Sequence, residues 1–235
     1  DSSTSRGLGD VYKRQHTEMT ALARQHASFA LYQGRGPPGT QDVDVGTHVL
    51  QAFRACHSVS IPIYDKSAHR GAGDRQRAWR HVQGEVDVVL FEGWCLGFPS
   101  MPFSELVRRY DQGRAASPRP EYAAHPLEEL QLMNRHLATW EQAWYPLIDA
   151  FVQLVPVVAD PEASPWSLVY PWRLEAEHAM KQRNGGRGMS DDEVHAFVQR
   201  YMPTYELFSR TADTSRWKEH CMVLRIGADR QCIDA

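Results

Sequence analysis

Long apolar runs are missing from this sequence of 235 residues. No stretch approaches the ~20 consecutive apolar residues that a membrane-spanning helix needs. An excess of positive charge is also missing, since the formal net charge is -3, whereas nucleic-acid-binding proteins usually carry a strongly basic patch. We therefore expect neither nucleic acid nor a membrane as a partner.

Cysteine is scarce: the four cysteines lie far apart and form no C-x-x-C pair. This spacing favours reduced thiols over a disulfide framework or a structural zinc site. The first residues lack the charged start and apolar core of a secretory signal. We expect a cytoplasmic protein.

The residues that are present, 42% apolar and 23% charged, have the composition of a globular domain. Residues 1–15 are polar and aperiodic, and Ser5–Gln15 resembles translated adapter sequence, so we predict a non-native tail there. A disordered native tail is the alternative. One domain is expected over residues 16–235.

Helical spacing alternates along the chain with short apolar runs. Helices are predicted over Thr17–Leu31, Val45–Cys56, Leu127–Trp144, Trp166–Arg183 and after the capping box Ser190–Glu193. Strands are predicted over Val59–Tyr64, Val86–Phe91, Phe151–Val158 and Met222–Ile226, and a long loop over Asp65–Gly84. Alternating strands and helices indicate an α/β fold with a mostly parallel sheet. The β-branched, apolar run Val86–Phe91 is typical of a strand covered on both faces.

Glu92 follows that apolar run directly. Open α/β sheets bind ligands at the carboxyl ends of their strands, and a carboxylate there can hold Mg²⁺. A solvated acid that merely ends the strand is the alternative.

Cations gather in three glycine-rich parts of the sequence. Lys66 and Arg75 lie in the segment 65–75, and Arg35 lies in the loop Gly34–Thr40; glycines let a ligand approach the backbone, and cations suit phosphate or carboxylate. Arg173 belongs to a helix that leads into Asn184–Gly186, where cations could meet a transferring phosphoryl group. Solvated loops, and cations at a helix end, are the alternatives.

A phosphate-binding loop of the form G-x-x-x-x-G-K-[ST] is missing. Gly34–Gly39 has the glycine spacing, but Thr40 and Gln41 follow it instead of Lys and a hydroxyl residue. Pro37 and Pro38 also lack amide donors. This loop is therefore not expected to bind phosphate.

Ordered segments of this sequence resemble the plant-type glycerate kinase family and its fungal relatives, which are P-loop kinases related to uridine and pantothenate kinases. The matching segments are Arg35–Asp42 (R-G-x-x-G-T-H-D, with Gln41 where His is usual), Pro62–Ser67 (P-x-Y-D-K-S), Gly71–Arg75 (G-x-G-D-R), Phe91–Phe98 (F-E-G-W-x-L-G-F), Asn134 with Leu137, Trp172–Glu177 (W-R-L-x-A-E), Gly188–Val194 and Arg200–Pro203.

The resemblance implies a three-layer P-loop NTPase-type parallel sheet with helices on both faces, and ATP-dependent phosphorylation of a small hydroxylated substrate, D-glycerate in the plant enzymes. ATP and Mg²⁺ would be required. Glu92 would serve the metal site, and Lys66 and Arg173 would be catalytic, with Arg173 in a lid over about 166–203. The substrate would meet Arg35, Asp42, Tyr64, Asp65 and Arg75.

The sequence also departs from the pattern of the family. The first strand, the P-loop and an acidic pair should precede His16 and are absent, so we expect neither tight ATP binding nor turnover by this chain. Gln41 and the inserted loop Arg114–Pro126 leave room for another small alcohol as substrate. A nucleotide-binding regulatory protein without turnover is the alternative from another class.

Overall fold

The computed structural model describes residues 12–160, 163–209, 217 and 220–234. These residues divide into two compact units. The described residues of Asp1–Phe103 and His125–Ile148 form the first, and those of Ser104–Ala124 and Asp149–Ala235 form the second.

The helices are α1 (His16–Gln25), α2 (Val43–Arg54), α3 (Phe103–Ala115), α4 (Leu127–Ala143), α5 (Val169–Arg183), α6 (Asp191–Gln199) and α7 (Met202–Phe208). The strands are β1 (Val59–Asp65), β2 (Asp74–Val82), β3 (Phe151–Pro156), β4 (Cys221–Ile226) and β5 (Cys232–Asp234). The predicted helices for α2, α4 and α5 and the strands β1, β3 and β4 are confirmed within a few residues. The first helix ends earlier than predicted, at Gln25, and α3 was not predicted.

The first unit is built on α2, α4 and a hairpin. Helix α4 buries Leu130, Met133, Leu137 and Trp140 completely, at the helical spacing that predicted it. The indole of Trp144, directly after α4, donates a hydrogen bond to the carbonyl of Val43 at the start of α2 (3.3 Å). This contact joins the two helices.

The hairpin of the first unit pairs β1 with β2 in antiparallel register, from Val59 opposite Val82 to Asp65 opposite Asp74. The prediction of a loop over Asp65–Gly84 is therefore wrong for Asp74–Val82. Strand β2 is mostly exposed and rich in Arg. The strand is defined by its hydrogen bonds to β1 and not by burial of one face. Its sequence therefore lacks the alternation of apolar and polar residues that identifies a half-buried strand.

The segment Val86–Phe91 does not form a strand in the described part of the chain, so that prediction is wrong. Its side chains are not buried either: Val88 is 83% exposed and Leu90 62% exposed. Apolar, β-branched residues favour an extended backbone, but a strand also needs a neighbour to bond with. None of the strands β1 to β5 pairs with this segment.

The second unit contains a sheet with the order β3-β4-β5, in which β3 and β4 are parallel and β4 and β5 antiparallel. Strand β3 is only partly buried, since Val152 is 55% exposed and Leu154 63%. Helix α6 begins with the predicted capping box, in which Ser190 and Glu193 bond to each other's backbone amides. Its buried Val194 and Val198 pack with Met202.

The mixed α/β class is confirmed. Among the described residues the strands form two small sheets with one parallel pair, so a larger parallel sheet stays a prediction. Within the same residues, no helix has the length and apolar character needed to cross a membrane.

Candidate functional site

A buried ion pair connects two of the predicted site residues. Nη2 of Arg75 lies 2.6 Å from Oδ2 of Asp42, and the two side chains are 4% and 15% exposed. The other oxygen of Asp42 caps α2 by accepting the amide of Val45 (3.1 Å). Because both oxygens of Asp42 are bonded, the pair fixes the start of α2 to the start of β2.

Arg35 bonds entirely to backbone carbonyls. Its Nε donates to Ala72 (2.9 Å), its Nη2 to Gly73 (3.1 Å) and its Nη1 to Arg14 (2.6 Å). Burial lowers the pKa of the guanidinium, yet carbonyls carry no formal charge to neutralise it. Arg35 therefore ties two segments together, and its charge also interacts with the nearby carboxylates of Asp74 and Glu18.

Tyr64 lies between two cations at the end of β1. Nζ of Lys13 is 4.9 Å from the centre of its ring and Cζ of Arg35 is 5.1 Å from it. Gly73 makes room for the hydroxyl, since a Cβ there would come within 2.3 Å of it, and Gly73 also has φ of +76°. Together with the ion pair described above, the two cations and the ring form a group that we call the Tyr64 cluster. Its members are Lys13, Arg35, Asp42, Tyr64 and Arg75.

Asp65 and Lys66 form the turn that follows β1. Oδ1 of Asp65 accepts the amide (2.8 Å) and the hydroxyl (2.7 Å) of Ser67, and these bonds lower the pKa of the carboxyl. Asp65 thus stabilises the turn, while the side chain of Lys66 is exposed. Of the two, Lys66 is the residue that a ligand in solution reaches.

Glu92 is exposed at the end of the apolar segment. Its carbonyl accepts the hydroxyl of Tyr12 (3.1 Å), and the ring of Tyr12 packs 5.4 Å from that of Phe91 and 5.0 Å from that of Trp144. Gly93 allows this approach, because a Cβ there would lie 1.9 Å from the hydroxyl of Tyr12. Tyr12 therefore determines where the backbone at Glu92 lies.

A magnesium ion fits Glu92 only as one ligand of a mixed set. Among the described residues there is no group of three or more His, Cys, Asp or Glu that could hold a metal ion. Mg²⁺ commonly takes one or two carboxylates and completes its shell with water and substrate phosphates. The single exposed carboxylate of Glu92 could therefore be one ligand of such an ion. It could not form a site in which protein groups supply all the ligands.

The loop Gly34–Gly39 uses its amides internally. The amide of Gly36 donates to Oγ1 of Thr40 (3.1 Å) and that of Gly39 donates to Oε1 of Gln41 (3.1 Å). Backbone amides must be free to cradle a phosphate. The geometry agrees with the sequence-based expectation that this loop is not a phosphate-binding loop.

Arg173 belongs to the second unit. Its Nη2 lies 2.7 Å from Oε2 of Glu177 one turn along α5, and its guanidinium lies 5.4 Å from the ring centre of Phe197. Glu177 is 1% exposed and also accepts the amide of Met189 (2.8 Å). The side chain predicted to meet a phosphoryl group is thus paired with a buried carboxylate.

Sequence reasoning missed the contribution of Tyr12, Lys13 and Arg14. They lie in the stretch predicted to be a non-native tail, yet Tyr12 is 5% exposed and the carbonyls of Lys13 and Arg14 bond to Arg75 and Arg35. Backbone carbonyls have no sequence signature, so no pattern could have identified them. The tail prediction for residues 1–15 stays a prediction.

Two relatives are similar in sequence to most of this chain. The chloroplastic D-glycerate 3-kinase of Arabidopsis thaliana is 36% identical over 196 residues, which are 81% of this chain and 38% of the plant protein. The uncharacterized kinase mug58 of Schizosaccharomyces pombe is 36% identical over 229 residues, 95% of this chain and 76% of the yeast protein. No model of a known protein family matches the chain.

A solved structure has a fold similar to that of this chain. The D-glycerate 3-kinase from Cryptococcus neoformans superimposes with a TM-score of 0.86 at 34% identity, covering 96% of this chain and 76% of that one. The fold therefore falls in the class of P-loop kinase-like proteins. Within that class, the chain belongs to the D-glycerate 3-kinase family. It spans 38% of the length of the plant relative.

Proposed function

We propose that this chain is the acceptor-binding part of an ATP-dependent kinase that phosphorylates a hydroxyl of D-glycerate. The observation that carries the proposal is the Tyr64 cluster, in which the three hydrogen bonds of the Arg35 guanidinium go to carbonyls and not to a carboxylate. D-glycerate is an anion at neutral pH, and a guanidinium or ammonium is the usual partner of a carboxylate. The small acceptor is therefore a partner that this cluster suits.

The site residues divide by exposure. Lys66 and Tyr64 lie at the end of β1 and contact the acceptor, with Lys66 also serving catalysis by neutralising charge during transfer. Arg75, at 4% exposed, supports the site from beneath by holding Asp42. Asp65 keeps the turn in shape, and Arg35 supplies positive charge from the loop Gly34–Thr40.

Mg²⁺ enters the proposal through Glu92. When bound with a nucleotide, the ion supplies neutralisation of phosphate charge. Glu92 would be one of its few protein ligands, reached through water or directly. Arg173 would neutralise phosphate charge as part of a lid over about 166–203, after leaving its pair with Glu177.

The phosphates of ATP need a cradle that these residues do not provide. The 235 residues hold no G-x-x-x-x-G-K-[ST] motif, and the amides of Gly36 and Gly39 are already bonded. We infer that the phosphate-binding loop and the rest of the three-layer parallel sheet lie outside these residues. The chain by itself then binds the acceptor and does not turn over.

A cytoplasmic location belongs to the same proposal. Cys56, Cys95 and Cys221 are free thiols in the described part of the chain. Free thiols are the usual state in a reducing compartment.

Turnover by an intact relative tests these roles. Alanine at the positions that match Lys66 and Glu92 is expected to lower the rate of D-glycerate phosphorylation at least roughly tenfold, which equals about 1.4 kcal/mol of barrier. Alanine at the position of Gln51, an exposed helical residue outside the proposed site, is the matched control and should leave the rate unchanged. Near-normal turnover of either site variant would remove that residue from the proposal.

A further inference from the structure

The segment Tyr12–Arg14 touches the predicted site at every one of its residues. The carbonyl of Tyr12 accepts the amide of Asp42 (2.6 Å). The carbonyl of Lys13 accepts Nε of Arg75 (2.8 Å), and that of Arg14 accepts Nη1 of Arg35 (2.6 Å). Three consecutive carbonyls thus bond to three residues that were predicted to bind the acceptor.

Two further contacts strengthen this connection, one within the segment and one shortly after it. Lys13 forms an antiparallel bridge with Gln41, next to the start of α2. The amide of His16, at the first position of α1, donates to Oδ1 of Asp74 (2.8 Å). Although burial acts in the opposite direction, this bond and those from His69 and Arg75 lower the pKa of Asp74. The segment is thereby held to both the helix α2 and the strand β2.

The ring of Tyr12 anchors the segment. It is 5% exposed, packs against the rings of Phe91 and Trp144 and reaches the carbonyl of Glu92 with its hydroxyl (3.1 Å). Burying an aromatic side chain removes apolar surface from water and so stabilises the contacts that the ring makes. The same residue that fixes the segment therefore also fixes the backbone beside the predicted metal ligand.

We propose that Tyr12–Arg14 is a positioning segment of the acceptor site, which holds Arg35, Asp42 and Arg75 through its carbonyls and is anchored by the ring of Tyr12. Without it, each guanidinium loses a carbonyl partner and Arg75 keeps only Asp42. The consequence for the acceptor rests on the proposed function, whereas the positioning itself does not. This proposal departs from the expectation of a foreign tail over residues 1–15 for the part that begins at Tyr12.

Hydrogen exchange at the amide of Asp42 tests the positioning without any activity. Tyr12→Ala removes the anchor and is expected to speed exchange at that amide by roughly tenfold or more, because exchange then follows local opening. Tyr12→Phe keeps the ring and is expected to retain most of the protection. Gln25→Ala, at an exposed position of α1, is the matched control and is expected to leave exchange at the Asp42 amide unchanged. Unchanged protection in Tyr12→Ala would overturn the proposal.

Titration with D-glycerate is the second measurement. Tyr12→Ala is expected to weaken binding about tenfold or more, and Tyr12→Phe to restore it to within a few fold of the unchanged chain. A loss of exchange protection with no loss of affinity would overturn the acceptor role. If the unchanged chain binds no D-glycerate, the proposed function fails instead, and the exchange of the Asp42 amide alone decides the positioning.

A chain that starts at Tyr12 and one that starts at Gln15 separate the segment from the residues before it. Removal of residues 1–11 is expected to leave the Asp42 amide protected. Removal of residues 1–14 is expected to expose it, while the amide of Glu193, which belongs to the capping box of α6, stays protected as the sign of a folded second unit. Equal protection of Asp42 in both chains would overturn the proposal.

Discussion

Gly39 combines a backbone constraint with a close neighbour. Its φ is +105°, and a Cβ there would lie 2.3 Å from Cδ2 of His136, a separation that requires atoms to move. Its carbonyl also accepts Nε of Arg14 (3.1 Å), which links the loop to the positioning segment. The residue therefore has both a conformational and a packing reason to be glycine.

Gly39→Ala is expected to lower the free energy of unfolding by about 2–4 kcal/mol, of which about 1–2 kcal/mol comes from the positive φ and the rest from displacing His136. Gly71→Ala is the matched control: its φ is +93° but nothing lies within 4 Å of the added Cβ. Urea unfolding of both variants measures the difference. Equal losses would show that the contact with His136 costs nothing.

His136 makes the stability of the first unit depend on pH. Burial, followed by the charges of Arg14 and Arg135, lowers its pKa from 6.5 to about 4. Below pH 6.5 the unfolded chain therefore binds more protons than the folded one, and stability falls as the pH drops towards 4. We expect a loss on the order of 2 kcal/mol between pH 7 and pH 5.

Urea unfolding at several pH values, followed by tryptophan fluorescence, measures this dependence. His136→Gln removes the titrating group and should flatten the curve between pH 7 and pH 5. His178→Gln changes an exposed histidine in the second unit and should not. A wild-type slope in His136→Gln would show that other groups produce the effect.

At the scale of elements, α6 shows how a local signal determines a helix start. Ser190 accepts the amide of Glu193 at 3.2 Å, and Glu193 accepts the amide of Ser190 at 2.7 Å. The helix then buries Val194 and Val198. Capping and packing act on the same nine-residue helix.

Ser190→Ala is expected to destabilise the second unit by about 1 kcal/mol, the usual value of a serine N-cap. Ser164→Ala is the matched control, because Ser164 precedes a short 3₁₀ turn without capping it through its side chain. Hydrogen exchange over residues 191–199 compares the two variants. If Ser190→Ala left the exchange rates unchanged, packing alone would hold the start of the helix.

Elements whose signals are local were predictable, and those that depend on a distant partner were not. The periodicity of Leu127–Ala143 and the cap at Ser190 lie within the segments that they define. Strand β2 is defined by pairing with β1, and Val86–Phe91 has the composition of a strand without a partner in the described residues. Propensity alone therefore missed the strands β2 and β5 and predicted a strand over Val86–Phe91 that the structure does not contain.

The candidate site divides in the same way. Motif-like segments placed Arg35, Asp42, Tyr64 and Arg75 in one hypothesis, and the fold brings these four side chains into one cluster. Their carbonyl partners at residues 13, 14, 72 and 73 could not be predicted, because any residue type supplies a carbonyl. Whether a cation bonds to a neighbouring residue or to a ligand depends on where these backbone carbonyls lie, which the sequence does not show.

At the scale of the whole molecule, exposed apolar side chains indicate self-association. Val88 and Leu90 are 83% and 62% exposed in the first unit, and Leu154 is 63% exposed in the second. Extended apolar segments with unpaired backbone groups readily pair with other chains. We expect the purified chain to associate at high concentration.

The double variant V88E and L90E is expected to reduce association by at least several fold, as measured by sedimentation velocity over a range of concentrations. The double variant Q51E and Q182E adds the same two charges at exposed helical positions and should leave association nearly unchanged. Equal effects of the two double variants would assign the change to net charge and not to the apolar segment.

Binding of D-glycerate to this chain tests the central claim most directly. Isothermal titration calorimetry with D-glycerate is predicted to show saturable binding at one site per chain, which Lys66→Ala weakens at least about tenfold and Gln51→Ala does not. The same chain with ATP and Mg²⁺ is predicted to form no phosphorylated product. Absence of any D-glycerate binding would contradict the account.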